Sequence, residues 1–117
     1  MNRCLILFIA GLVLSVISVC RPVYAQQISD PESEYLRIRS LAFDGNYAAA
    51  AADARKLVNA FPSYGDARIL LGRILAWQKD FKQAEAVLDT LLKSDPDNED
   101  ALAAMRDIPA SRIAVTN

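Results

Sequence analysis

"KDFKQAEAVLDTLLKSDP", residues 79–96, reads as one amphipathic helix that stops at a proline. Residues 45–62, "GNYAAAAADARKLVNAFP", have the same length and the same skeleton. The shift that carries the second stretch onto the first lays Leu41 on Leu75, Phe43 on Trp77, Tyr47 on Phe81 and Ala50 on Ala84. The same shift lays Leu57 on Leu91, Pro62 on Pro96, Arg39 on Arg73 and Ala42 on Ala76. Small, aromatic and proline positions recur together, which two unrelated amphipathic helices rarely achieve. The chain writes one helical hairpin twice, because a single hairpin cannot bury its own apolar face and a second copy stacked on it can.

Each recurring residue type has a physical reason. Gly72 and Ala84 are small where two helices must cross closely. Tyr47 and Phe81 open the second helix of each unit and fill space between neighbours. Pro62 and Pro96 cannot continue a helix and bias the residue before them away from helical angles. Asp30 is placed to cap a helix whose first residue is Pro31, and Ser63 with Asp66 and Asp80 with Gln83 have near-capping-box spacing. These signals predict helices near 31–43, 47–60, 64–77, 81–93 and 98–107. The last residues, "PASRIAVTN" (109–117), lack periodicity and are expected to form a frayed, flexible tail.

The pattern and its period resemble the tetratricopeptide repeat family. The unit at 65–98 carries the resemblance best, with Leu71-Gly72, Leu75, Phe81, Ala84, Leu88 and Pro96 at the family's spacing. The unit at 31–64 is degenerate: Arg37-Ile38 replaces the Leu-Gly pair, while Gly45, Tyr47, Ala50 and Pro62 remain. The resemblance implies an all-α fold, a short solenoid of two helix-turn-helix repeats closed by a C-terminal capping helix over 98–107. Two units and one helix make a small core, so the domain, taken as 26–108, is expected to lean on self-association or on a larger partner.

Upstream of the repeat stands Arg3, then the apolar run "CLILFIAGLVLSVISVC" from Cys4 to Cys20, then "RPVYA". A positive start, an apolar centre and a small-x-small exit at Val23-Tyr24-Ala25 describe a secretory signal peptide over 1–25. The run is shorter than the ~20 apolar residues of a membrane-spanning helix. Cys20 admits a rival reading, a lipid anchor on that cysteine, which Val19 immediately upstream disfavours. Export places the domain in the periplasm, with the membrane reached only through the leader or such an anchor.

Composition removes most chemistry. The chain has no histidine, and both of its cysteines, Cys4 and Cys20, fall in the leader. Histidine-based nucleophilic constellations and the usual zinc ligand sets are therefore absent from the mature sequence. No phosphate-binding loop, dinucleotide-binding glycine pattern or calcium loop occurs, and "DPDNED" (95–100) reads as helix caps and a solvated turn. Of the 13 Lys and Arg, Arg3 and Arg21 lie in the leader, leaving 11 against 14 Asp and Glu, an acidic balance unlike a nucleic-acid surface. The sequence predicts no catalytic residue, no cofactor and no metal, hence no enzyme.

A binding surface remains. In the family the first helix of each unit lines a concave groove that holds partner peptides. The resemblance turns inward Glu32, Tyr35, Arg39, Ala42 and Phe43 from the first unit, then Asp66, Ile69, Arg73, Ala76 and Trp77 from the second. Tyr35, Arg39, Phe43, Asp66, Ile69, Arg73 and Trp77 are the candidate partner-binding residues. Arg39 and Arg73 can each grip a carboxylate through a planar fork, and the aromatics supply anchor area. Phe43 and Trp77 also fit a second role, packing between helices. The subtype that clamps an acidic C-terminus uses lysine and asparagine, and Arg39 and Arg73 stand at the asparagine place, a departure from it. Residues 67–108 further resemble the repeat region preceding the barrel in YaiO-type outer-membrane β-barrel proteins. The expectation is an exported interaction module of the bacterial envelope. The alternative is a truncated accessory domain of such a barrel protein.

Overall fold

The computed structural model describes residues 30–116, and over that span the chain is a run of helices with no strand among the described residues. The expected leader at 1–25, including Cys20, lies outside the described residues. Five helices follow in order: α1 Pro31–Phe43, α2 Tyr47–Ala60, α3 Gly65–Trp77, α4 Phe81–Ser94 and α5 Glu99–Thr116. The period is visible in where they begin. α1, α3 and α5 start at Pro31, Gly65 and Glu99, evenly spaced, and α2 and α4, from Tyr47 and Phe81, advance by the same step. The all-α repeat arrangement expected from the sequence is the observed one.

Local chemistry sets the helix ends. Asp30 caps α1 by accepting from the amides of Glu32 at 3.3 Å and Ser33 at 3.1 Å, and also from the Ser33 hydroxyl. Asp80 accepts from the Gln83 amide at 3.3 Å at the start of α4, but Gln83 does not return the bond. Its Oε1 accepts from Arg55 of α2 at 2.5 Å instead, tying α2 to α4. Ser63 does not cap α3. The helix starts at Gly65 with Tyr64 as the flanking residue and no side-chain cap. Its entry is held differently: the Tyr64 amide donates to Phe61 O at 3.0 Å, and the Tyr64 ring packs on Tyr35 at a centroid distance of 5.9 Å. Asn98, whose carboxamide Oδ1 accepts from the Ala101 amide at 2.9 Å, caps α5.

α3 is the centre of the stack. It packs against all four other helices and buries Ala67, Ile69, Leu70, Leu71, Gly72, Ile74 and Leu75. The largest fully buried side chains are Ile38, Leu57, Ile74, Leu75, Leu88 and Ile108, so every helix contributes at least one. Burying each stabilises the fold by roughly 1.5–3 kcal/mol before entropy is counted. No charged or polar side chain is buried among the described residues, so the core rests on apolar packing alone.

The C-terminal segment corrects the sequence reading. The capping helix expected over 98–107 continues to Thr116, and the expected flexible tail at 109–117 is helical as far as that residue, with Pro109 inside the helix. A proline removes one backbone donor and crowds the preceding turn, yet tertiary contacts on both sides hold the turn in register. Ile108 is buried just before it. After it, Arg112 donates to Glu85 of α4 at 2.6 Å and stands 5.5 Å from the centroid of the Phe81 ring.

Candidate functional site

The first helices of the units, α1 and α3, together with α5, form one wall of the stack, and that wall carries two adjoining depressions. The first, of about 310 Å3, lies between α1 and α3 and is lined by Tyr35, Arg39, Phe43, Ile69, Leu70, Arg73 and Trp77. The second, of about 350 Å3, lies between α3 and α5 and is lined by Arg73, Ala76, Trp77, Ala104, Asp107 and Ser111. Arg73 and Trp77 belong to both, so the two depressions are neighbours along one groove.

Of the seven candidate residues, six are brought together in the first depression. Asp66 is not: it stands in the first turn of α3, away from both depressions. Of three other positions expected on the inner wall, two have different duties and one, Ala76, is on it. Ala42 is buried in the core. Glu32 accepts a 2.7 Å hydrogen bond from the Tyr64 hydroxyl. Burial, and then the Glu32 carboxylate, push the Tyr64 phenol well above its usual value, so it remains a donor. Ala76 lines the second depression. Leu70, Ala104, Asp107 and Ser111 lie outside the sequence expectation. Leu70 is the apolar floor beside Ile69. The other three come from α5, to which the family pattern assigns no groove position, and Ser111 lies in its second half, which carries no periodic signal in the sequence.

The aromatic residues hold an intermediate position between core and surface. Trp77 packs between Tyr47, at 5.9 Å, and Phe43, at 6.4 Å between ring centroids. It nevertheless remains 40% exposed, and Phe43 remains 71% exposed. Both side chains are steadied on one side and open to solvent on the other. That arrangement leaves apolar area for a ligand at low entropic cost, because the rings are already oriented.

Two guanidinium groups share the first depression. Arg39 stands over the Phe43 ring, 5.5 Å from its centroid, a cation–π contact that uses the face of the cation and leaves its N–H edge available. Among the described residues neither Arg39 nor Arg73 makes an ion pair or a hydrogen bond, whereas Arg37 and Arg112 are both paired to carboxylates. The acids of α1 are engaged elsewhere, Glu32 with Tyr64 and Glu34 with Arg37. The depression between α1 and α3 thus holds like charges facing the same space without a counter-charge.

Among the described residues no group of three or more His, Cys, Asp or Glu is placed to hold a metal ion, and no helix is long and apolar enough to cross a membrane. Comparison with known proteins bears on the fold. A tetratricopeptide repeat family model matches residues 44–108. No curated protein and no solved structure matches the chain, so the narrower likeness to YaiO-type proteins is without support there. The match begins just after α1 and runs to Ile108, across more than half of the chain, and takes in α2, α3, α4 and the first part of α5. On that ground the chain belongs to the tetratricopeptide repeat family.

Proposed function

We propose that this protein is a non-catalytic interaction module of the bacterial envelope that holds a segment of a partner protein in the groove along α1, α3 and α5. Repeats of this family generally mediate protein–protein interaction and are typically not enzymes. The observation that carries the reading is the groove itself, with Phe43 and Trp77 oriented but open and, among the described residues, Arg39 and Arg73 without a carboxylate partner. Such aromatic and arginine groups are the types that dominate binding energy at interfaces. The leader-like residues 1–25 support an exported location, and the small core, spread over two hairpins and one helix, supports dependence on a partner.

Two experiments test it. Photo-crosslinking amino acids placed at Phe43 and at exposed Lys82 on α4, in cells, separate groove partners from chance neighbours. The reading expects discrete adducts from Phe43 and none in common from Lys82. Identical adducts from both positions defeat it. N-terminal sequencing of the protein recovered from the periplasm is expected to begin at Gln26, and retention of the intact chain in the cytoplasm rules out an envelope role.

A further inference from the structure

We infer that the groove recognises an internal acidic side chain of its partner segment, seated between Arg39 and Arg73, with an apolar neighbour of that residue resting on Trp77. The inference rests on the interaction reading above and adds the chemistry of the ligand. Its basis is a charge imbalance confined to one half of the groove. The α1–α3 half contains two guanidinium groups and no carboxylate among its lining residues. The α3–α5 half contains Asp107 together with the shared Arg73. The described span as a whole is acidic, so a doubly cationic pocket within it is a local reversal of sign.

The geometry narrows the occupant further. Arg39 is braced by the Phe43 ring, which orients its fork and lowers the entropy lost on binding. A carboxylate accepts up to four hydrogen bonds and can bridge two guanidinium groups. Its arrival also removes the repulsion between them. Beside that place the half-exposed Trp77 face bounds both depressions, so the residue next to the acid meets an aromatic surface. Asp107 beyond it repels a second acid, which confines the anionic side chain to the α1–α3 half. No free C-terminus is required, since a side-chain carboxylate supplies the whole of the charge.

Trp77 is the chain's single tryptophan, so its fluorescence reports occupancy of the groove directly. The full chain is titrated with three hexapeptides, each acetylated and C-terminally amidated: one alternating glutamate and leucine, one alternating lysine and leucine, one alternating glutamine and leucine. The expected result is a saturable change in Trp77 emission with the glutamate peptide alone, weakened by added salt. Arg39→Gln and Arg73→Gln, both on the groove wall and away from the core, are each expected to weaken it by about tenfold, as loss of a charge-assisted pair does. Asp107→Asn is expected to leave affinity unchanged or raise it. Circular dichroism confirms that each variant is folded.

Equal binding of the glutamate and glutamine peptides overturns the inference and leaves the groove reading standing. So does a glutamate peptide whose affinity falls as much with Asp107→Asn as with Arg39→Gln. Binding that appears only when the peptide's C-terminus is a free acid also overturns it, since the recognised group is then the terminus. If none of the three peptides alters Trp77 emission the inference fails, and the crosslinking pattern from Phe43 decides separately whether the groove binds protein at all.

Discussion

Leu88 of α4 lies over Gly72 of α3 so closely that a methyl group on Gly72 would meet Leu88 Cγ at 2.8 Å and Cδ2 at 2.9 Å. Both residues are buried, Leu88 completely. The absence of a side chain at 72 is therefore what lets α3 and α4 approach. In the first unit the same two places hold Ile38 and Ala54, also completely buried. The large residue has changed helix, and the summed volume differs by a single methylene. Cores tolerate such exchanges when total volume is nearly conserved.

Gly72→Ala is expected to destabilise the domain by about 1 kcal/mol, the balance of an overpacking cost of 1–3 and a helix-propensity gain near 1. In a Leu88→Ala background the added methyl has room, so the same substitution is expected to stabilise. Urea unfolding of the four proteins in the cycle checks this. An equal cost in both backgrounds means that Leu88 is not what crowds Gly72.

The two first helices end alike. After α1 the chain turns through Gly45 at φ 85°, and the Asn46 amide reaches back to Leu41 O at 3.0 Å. After α3 it turns through Lys79 at φ 67°, and the Asp80 amide reaches Leu75 O at 2.9 Å. Left-handed backbone costs an ordinary residue about 1 kcal/mol that glycine does not bear. Lys79→Gly is thus expected to stabilise by roughly 0.5–1 kcal/mol, a rise in Tm of several degrees for a domain of this size, and Gly45→Ala to destabilise by about 1 kcal/mol. Thermal melts that rank these two variants in the opposite order refute the shared turn as the cause.

Arg37 answers the other irregularity of the first unit. It donates to Glu34 at 3.0 and 2.5 Å and crosses to Asp53 of α2 at 2.7 Å. At the equivalent places the second unit has Leu71, buried, and Val87, packed against the core. An ion pair across the hairpin replaces an apolar pair. The Arg37 hydrogen bonds hold the Glu34 and Asp53 carboxyls below their usual 4.5 and 3.8. A depressed carboxyl stabilises the fold above its unfolded value, and that contribution is lost as pH falls through the folded value. Arg37 is half exposed, so the network is worth at most about 1 kcal/mol. Arg37→Met should therefore lie below the parent in stability at neutral pH, with the gap closing as pH falls from about 5 toward 2. A gap that persists at low pH assigns the loss to packing instead.

These pairs explain why one unit is plain in the sequence and the other is not. The period and the helix order follow from small, aromatic and proline positions, which recur because close crossings and helix ends demand them, and six residues of the groove follow from the positions that the family resemblance turns inward. Arg37-Ile38 looks like a broken Leu-Gly motif because its compensation, Asp53-Ala54, stands on another helix. A scan along the chain cannot see it. Family position alone puts Asp66 in the groove, although the first turn of α3 carries it away from both depressions. Asp107 stands on the expected capping helix, to which the family pattern assigns no groove position. Ser111 escapes the sequence for a tertiary reason: Pro109 marks a stop locally, and contacts from neighbouring helices accompany the helix past it.

The helical course of α5 beyond Pro109 depends on those contacts, and its two halves are expected to respond differently to substitution. Ile108 is 1% exposed, so Ile108→Ala leaves a cavity between α5 and its neighbours and is expected to cost about 2–4 kcal/mol. In a domain of this size that is a large share of the total, and the whole stack should unfold at markedly lower urea. Arg112→Ala removes the exposed pair with Glu85 and the contact with Phe81, which together are worth about 1 kcal/mol or less. Its effect should be local. Amide hydrogen exchange is expected to speed up at residues 110–116 while α3 and α4 keep their protection, since segments with few buried contacts open independently of the core. Uniform acceleration in every helix would make the last two turns part of the cooperative core. Unchanged exchange at 110–116 would show that Arg112 does not hold them.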